Sequence, residues 1–229
     1  MTDKTHTLHP AIAANIRAYS RITGKWNREW DKNQNMECRE TCRRMFLAAL
    51  PGPHVLDIGC GVGRDSLFFA VNGCKVTATD IVSDFLPIVR FGNPSITTAI
   101  MDMTRPCFKD AAFDGLFLFA SFLHVPRELS LPTLAGLRKM LKKGGVLFIH
   151  HVKSMQGLES YRVDDLLIPD NPAICFCHDE SELDQLLTEA GFGLRTFTHY
   201  AVGTKRSATA EKYDLVTYQT LAFNDLDSI

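Results

Sequence analysis

The sequence predicts an α/β fold: a doubly wound, mostly parallel seven-stranded sheet with an antiparallel C-terminal strand, preceded by a helical N-terminal segment. Three observations carry this expectation. From residue 54 onward, short apolar runs alternate with segments of helical periodicity, as in repeated strand–helix units. Runs such as "GLFLFA" and "VLFI" are continuously apolar, as strands covered on both faces are. The last two strand-like runs follow each other with no helix between them. That breaks the parallel rule and adds an antiparallel strand at the end of the sheet.

The elements read as follows. Residues 11 to about 50 are helical, with a break near Gly24. In "NMECRETCRRMFLAAL", Met36, Cys42, Met45, Phe46 and Ala49 recur at helical spacing, and Pro51-Gly52-Pro53 stops the run. "HVLDIG" is a strand and "RDSLFFAVNG" a helix ended by Gly73. "KVTATDI" is a strand, "SDFLPIVRFG" a short helix, and "ITTAIMDM" a third strand. "FDGLFLFAS" is a fourth, followed by the helix "LSLPTLAGLRKMLKKGG", capped by its glycines. "GVLFIHHV" is the fifth strand, and "ESELDQLLTEAGF" a helix with Ser181 as its cap. "LRTFTHYA" and "YDLVTYQTLAF" close the sheet. The segment "SYRVDDLLIPDNPAICFCHDESEL" is long for a connection, and long connections often carry function. We expect one domain over residues 1–229, with 1–50 as a helical cover and 51–229 as the sheet core.

Hydrophobic residues make up 45% and charged residues 22%, as in an ordinary globular chain, and the formal net charge is −1. A chain without excess positive charge is a poor candidate for nucleic acid. No apolar run reaches the length that spans a bilayer, and the N-terminus has no apolar signal core. Seven scattered cysteines, an odd number, fit a reduced, cytoplasmic protein. A small-molecule partner is the expectation, with no nucleic acid and no membrane; oligomeric state leaves no signal in the sequence.

The chemistry concentrates in "HVLDIGCGVGRDSLFFA". Gly59, Gly61 and Gly63 lie between a strand and a helix, where missing Cβ atoms let backbone approach a ligand. The next strand ends in Asp80, and an acid at that place can accept both hydroxyls of a ribose. The spacing is G-x-G-x-G, not the G-x-G-x-x-G of dinucleotide sites. Asp57 before the glycines and Asp65 in the first helical turn would crowd a pyrophosphate and suit a ligand with a cationic end.

"VLDIGCGVGRDS" resembles motif I of the class I S-adenosylmethionine-dependent methyltransferases, of the Rossmann-like, small-molecule type. The resemblance runs from about Tyr19 to the last strand, through "VTATDI", "MDM", "FDGLFLFASFLHVPRE" and "LKKGGVLFI" in order. It implies S-adenosyl-L-methionine as cofactor and methyl transfer to a nitrogen, oxygen or sulfur of a small molecule. It implies that Asp57, Gly59, Gly61 and Gly63 line the methionine and ribose part, with Cys60 and Arg64 adding backbone groups. Asp80 would hold the ribose, with Ile81 beside the adenine. Asp102 would accept from the adenine amino group between Met101 and Met103, and backbone at Ala120 would meet the methionyl amine. The N-terminal "AYSRITGKWNREW" resembles a Tyr-containing segment that covers the site in such enzymes. Tyr19 and Trp30 would then touch the cofactor and Trp26 the substrate, although the family usually has a second Tyr where Trp26 stands.

Methyl transfer from a sulfonium needs positioning above all, and a base only where the acceptor must lose a proton. His124 is the candidate base and a substrate contact. Adjacent strand residues face opposite ways, so one of His150 and His151 can face the substrate. "CFCHDE" lacks the paired spacing of a metal site, and no metal is expected; Cys38 and Cys42 read as helix-core thiols. The alternatives are an NAD(P)-dependent oxidoreductase, for which a dinucleotide loop and a proton relay are missing, and a non-catalytic cofactor-binding protein of the same fold.

Overall fold

The computed structural model describes residues 7–23, 36–163, 172–199 and 211–224. Helix α1 (Pro10–Ser20) opens with a proline at its first turn, where no amide donor is missed, and the His9 ring accepts from the Ala11 N–H. Helix α2 (Met36–Ala49) follows. The core then alternates: β1 (His54–Ile58), α3 (Arg64–Val71), β2 (Lys75–Asp80), α4 (Leu86–Gly92), β3 (Thr97–Ile100), β4 (Phe113–Phe119), α5 (Arg127–Met140) and β5 (Leu141–Ser154). A hairpin of β6 (Ser160–Val163) and β7 (Ala173–Phe176) precedes α6 (Glu180–Glu189), β8 (Arg195–His199) and β9 (Leu215–Phe223).

The seven-stranded sheet has the order β3-β2-β1-β4-β5-β9-β8. All neighbours are parallel up to β5; β9 runs antiparallel to both β5 and β8. The antiparallel strand is therefore inserted between β5 and β8, not added at the edge. The chain winds outward from β1 to β3, then returns to β4 on the other side of β1. That reversal opens a crevice at the carboxyl ends of the strands, where open α/β sheets bind ligands.

Each face of the sheet is covered. On one, Phe46 of α2 and Phe69 of α3 pack on Phe117 and Phe148, whose rings stack at 4.6 Å. Burying one such phenylalanine contributes about 1.5–3 kcal/mol. Gly115 makes this possible, because a Cβ there would sit 2.3 Å from Leu50 and 2.6 Å from Phe46. On the other face, Leu134 and Leu137 of α5 and Leu183 and Leu187 of α6 meet Leu116, Leu118, Leu147 and Tyr218.

Two local expectations need correction. Helix α5 ends at Met140, and the glycines do not cap it: Leu141 turns extended, and Gly144 at φ 71° donates its N–H to the Asn224 carbonyl. The cap of α6 is Asp179, not Ser181. Asp179 accepts from the Glu182 N–H while the Glu182 side chain accepts from the Asp179 N–H, so two end donors are satisfied reciprocally. The long connection after β5 carries the β6–β7 hairpin, with its own small core of Leu123, Val152, Tyr161, Cys175, Cys177 and Leu215.

Candidate functional site

The glycine loop after β1 is tied down at both ends. Gly59 and Cys60 donate their N–H groups to the Thr79 carbonyl at 2.8 and 3.0 Å. Gly59 has φ 71°, and an added Cβ would lie 2.5 Å from Ser121 Cβ, so the loop after β1 and the loop after β4 close on each other only through glycine. Ser121 seals this contact by donating its hydroxyl to the Ile58 carbonyl at 2.7 Å. Gly61 has φ 52°, lines the crevice, and would point a Cβ into empty space within it. This is the cradle that a close-lying ligand needs.

Asp80 ends β2 in the wall of the crevice. Its carboxylate accepts from Gly61 N–H at 2.9 Å and Val82 N–H at 2.8 Å, which fixes its orientation. Burial pushes its pKa up to about 6, against those hydrogen bonds. Asp102, just past β3, accepts the Thr104 N–H and hydroxyl on Oδ1 at 2.9 and 2.7 Å. Ile81, Met101, Met103 and Phe85 complete an apolar slot between the two acids. Ala120, at φ 52°, turns the backbone after β4 into the crevice; a non-glycine residue held there costs about 1–3 kcal/mol and marks a constrained site.

The far wall comes from α1. Ile12, Asn15 and Tyr19 lie three and four residues apart, so one face of α1 looks into the crevice. The Tyr19 hydroxyl is 3.0 Å from His124 Nε2, and His124 Nδ1 is 3.1 Å from the Ile174 carbonyl. A carbonyl can only accept, so Nδ1 carries the proton and Nε2 accepts from Tyr19. Burial lowers the His124 pKa to about 4, so the ring is neutral. Asn15 pairs with the backbone of β7, accepting from Ile174 N–H at 2.7 Å and donating to Ile174 O at 2.9 Å.

Several expected residues stand elsewhere. Asp57 is 2% exposed and turned away from the crevice, accepting from the Ser66 hydroxyl at 2.5 Å; burial and the nearby Asp65 push its pKa up to about 7. Gly63 caps α3 at φ 82°, behind the loop, with Val89 where its Cβ would be. Asp65 does not face a ligand either. Arg39 grips both its oxygens at 2.9 and 2.5 Å, and Arg43 donates at 2.6 Å. Against burial, the two guanidiniums hold Asp65 below the usual carboxylate range. The expectation that Asp57 and Asp65 offer negative charge to the ligand is thus corrected: two arginines meet one ionised acid, and Arg39 brings positive charge to the crevice wall.

His150 and His151 do face opposite ways, and neither lines the crevice. His150 stacks on the back of Phe119 at 4.3 Å. His151 is fully buried on the other face, 3.0 Å from His178 Nδ1. Trp26 and Trp30 lie outside the described residues. Cys175, Cys177 and His178 diverge: Cys175 lies toward His124, and His178 toward Ser130 and His151. Among the described residues no group of three or more His, Cys, Asp or Glu could hold a metal ion.

Sequence reasoning missed Asn15, Arg39 and Phe119, all in the wall. The signal for Arg39 was the helical R-x-x-x-R of Arg39 and Arg43 opposite a buried acid. Asn15 and Phe119 left none.

Residues 55–145 match the family model described as a methyltransferase domain. A ubiquinone biosynthesis O-methyltransferase of Xanthomonas campestris pv. campestris is 30% identical over 135 residues, 54% of this chain. That match spans about half, 55%, of the relative's length. Among solved structures, the 1,6-didemethyltoxoflavin-N1-methyltransferase of Burkholderia thailandensis, bound to its substrate and S-adenosylhomocysteine, superposes with a TM-score of 0.70 at 20% identity, covering 98% of this chain and 93% of its own. A SAM-dependent methyltransferase of Methanosarcina mazei gives 0.66 at 20% identity, covering 80% of this chain and 98% of its own. Residues 55–145 are thus similar to a methyltransferase domain, and the strand order agrees with the fold of these solved methyltransferases.

Proposed function

We propose that this chain transfers the methyl group of S-adenosylmethionine to a nitrogen, oxygen or sulfur atom of a small molecule. The observation that carries the reading is one continuous crevice: Gly59 and Gly61, then Asp80 and Asp102 from consecutive strand ends, lead to the Tyr19–His124 pair. When bound, the cofactor supplies a methyl group already activated on a sulfonium.

The roles of the chain's own residues follow from their places. Asp80 receives the ribose hydroxyls and Asp102 the adenine amino group, with Ile81, Met101 and Met103 packing on the base. The backbone of Gly59, Cys60, Gly61 and Ala120 surrounds the methionyl part. Arg39, held by Asp65, faces its carboxylate. Asp57 and Gly63 act from behind, supporting the loop. Tyr19 roofs the reacting centre and excludes water. His124 accepts from Tyr19, so that a proton lost by the acceptor can pass to Tyr19 while Tyr19 hands its own to His124. The low basicity of the buried ring makes that charge short-lived, which suits an acceptor that needs little deprotonation.

The net charge of −1 favours a small molecule over nucleic acid. Among the described residues no helix is long and apolar enough to cross a membrane. Among the described residues no disulfide joins the cysteines, which supports a reducing, cytoplasmic setting and a single domain without disulfide staples. Incubation with methyl-labelled S-adenosylmethionine and a panel of small phenols, amines, ring nitrogens and thiols tests the proposal. Label appears on at least one acceptor. Tight cofactor binding with no transfer to any of them overturns it in favour of a non-catalytic binding protein. With the acceptor in hand, His124→Ala slows turnover, and at saturating cofactor the wild-type rate shows no step from His124 above about pH 5, because the ring is already neutral there; an unchanged rate in the variant removes His124 from the proton path.

A further inference from the structure

Two thiols of α2 take no part in the site above. Cys38 and Cys42 are four residues apart, so they share one face of the helix. The Cys38 thiol is hydrogen-bonded to Cys42 and to His150, with Arg39 beside it. Cys42 is fully buried and reaches Gln219 Oε1 at 4.0 Å, whereas Cys38 keeps 8% of its surface. Among the described residues, His150 Nδ1 and Gln219 Nε2, both buried, have no hydrogen-bond partner. Burial pushes most of the other thiols up: Cys60, Cys74, Cys175 to about 12 and Cys177 to about 11. Cys38 goes the other way, down to about 5: Cys42 lowers it most, and His150 and Arg39 add to that against burial. A thiolate, not a thiol, is the nucleophile.

We propose that Cys38 is a peroxide-reactive thiol and Cys42 its resolving partner, a modification site on α2 that governs the Arg39 wall of the cofactor crevice. Cys38 thiolate attacks one oxygen of hydrogen peroxide; the O–O bond breaks, hydroxide leaves, and Cys38 becomes a sulfenic acid. The Cys42 sulfur then displaces the sulfenic oxygen, which leaves as water with the thiol proton, and the S–S bond forms. Two thiols are oxidised and one peroxide is reduced to two waters. Thiol–disulfide exchange with a dithiol reverses the change.

The coupling to the site is geometric. Cβ atoms at this helical spacing stand about 5–6 Å apart, whereas a disulfide holds them at about 3.5–4.5 Å. Bridging must therefore move the turn that contains Arg39. Arg39 grips the buried Asp65 at 2.5 Å and lies over Phe119 at 4.5 Å; Arg39 and Phe119 both line the cofactor crevice, so the oxidised chain loses cofactor affinity. This consequence rests on the proposed cofactor site; the oxidation chemistry does not.

The test uses the full chain, reduced and then treated with a small excess of hydrogen peroxide. Trypsin cuts after Arg39 and separates the two cysteines, so a disulfide appears as a linked peptide pair. We expect that pair as the first product. S-adenosylhomocysteine affinity falls about tenfold or more and returns with dithiothreitol. Cys42→Ser stops at a sulfenic acid on Cys38 that dimedone traps. Cys38→Ser binds S-adenosylhomocysteine as the wild type does and keeps its affinity under peroxide. Oxidation falling first on Cys107 or another thiol, with Cys38 still reduced, overturns the proposal, as does a Cys38–Cys42 bond that leaves affinity unchanged. Reduced wild type that fails to bind S-adenosylhomocysteine instead defeats the cofactor reading, and the peptide map still decides the oxidation site.

Discussion

Gly59 sets the spacing of the site at the scale of single atoms. Replacing it with alanine forces a Cβ to within 2.5 Å of Ser121 and keeps φ at 71°. Strain and overpacking together cost about 2–4 kcal/mol, visible as a lowered melting temperature. Ser121→Gly in the same chain removes the clash and restores part of that loss; no restoration would show that the two loops do not meet as described. Asp57 gives a second residue-level prediction. Its folded pKa is raised to about 7, so its contribution to stability is fully present below the unfolded carboxylate value near 4 and is lost as pH rises through 7. Asp57→Asn keeps an acceptor for Ser66 and cannot ionise. Its melting temperature relative to wild type should therefore climb between pH 5 and pH 8; a constant difference would mean Asp57 is ionised throughout. The sequence announced both residues through the motif. It could not say that Asp57 turns inward or that Asp65 is neutralised, because partners 22 and 26 positions away along the chain decide that.

Helix α1 forms the roof, and the Asn15 side chain ties it to β7 of the hairpin. Asn15 pairs with Ile174 across 159 residues, much as a strand residue would. Asn15→Ala leaves the Ile174 N–H and C=O without their partner, at a cost of about 1–3 kcal/mol confined to this junction. Hydrogen exchange should quicken across residues 10–20 and at Ile174, while amides of β1 and β4 keep their protection. Equal acceleration in the central strands would mean that α1 is not a separately held cover. Most elements were legible from periodicity: the strand and helix alternation, the apolar β4, the closing strand pair. The hairpin was not, because "SYRV" and "AICF" are four residues each and acquire their pattern only by packing on α1 and His124. The end of α5 was misjudged for a related reason. "LKK" has helical propensity, but the pairing of Phe113 with Leu141 pulls it into the sheet.

Taken whole, the molecule is a winding order that creates a crevice and a loop that fills its floor. The order β3-β2-β1-β4-β5-β9-β8 brings Gly61, Asp80 and Asp102 together from positions up to 41 residues apart, and their motif spacing made that convergence readable before any coordinates. The acceptor half was less readable, since its wall is assembled from α1, α2 and the loop after β4, whose contacts leave no spacing rule. The central claim is that this crevice holds S-adenosylmethionine through Asp80. Isothermal titration of S-adenosylhomocysteine into the wild type and into Asp80→Ala tests it most directly. Hydrogen bonds to a charged group are worth about 1.5–3 kcal/mol, so a single-site isotherm for the wild type should weaken about 10–100-fold in the variant. A folded wild type that gives no binding heat at any temperature, or an Asp80→Ala that binds as tightly, would contradict the account.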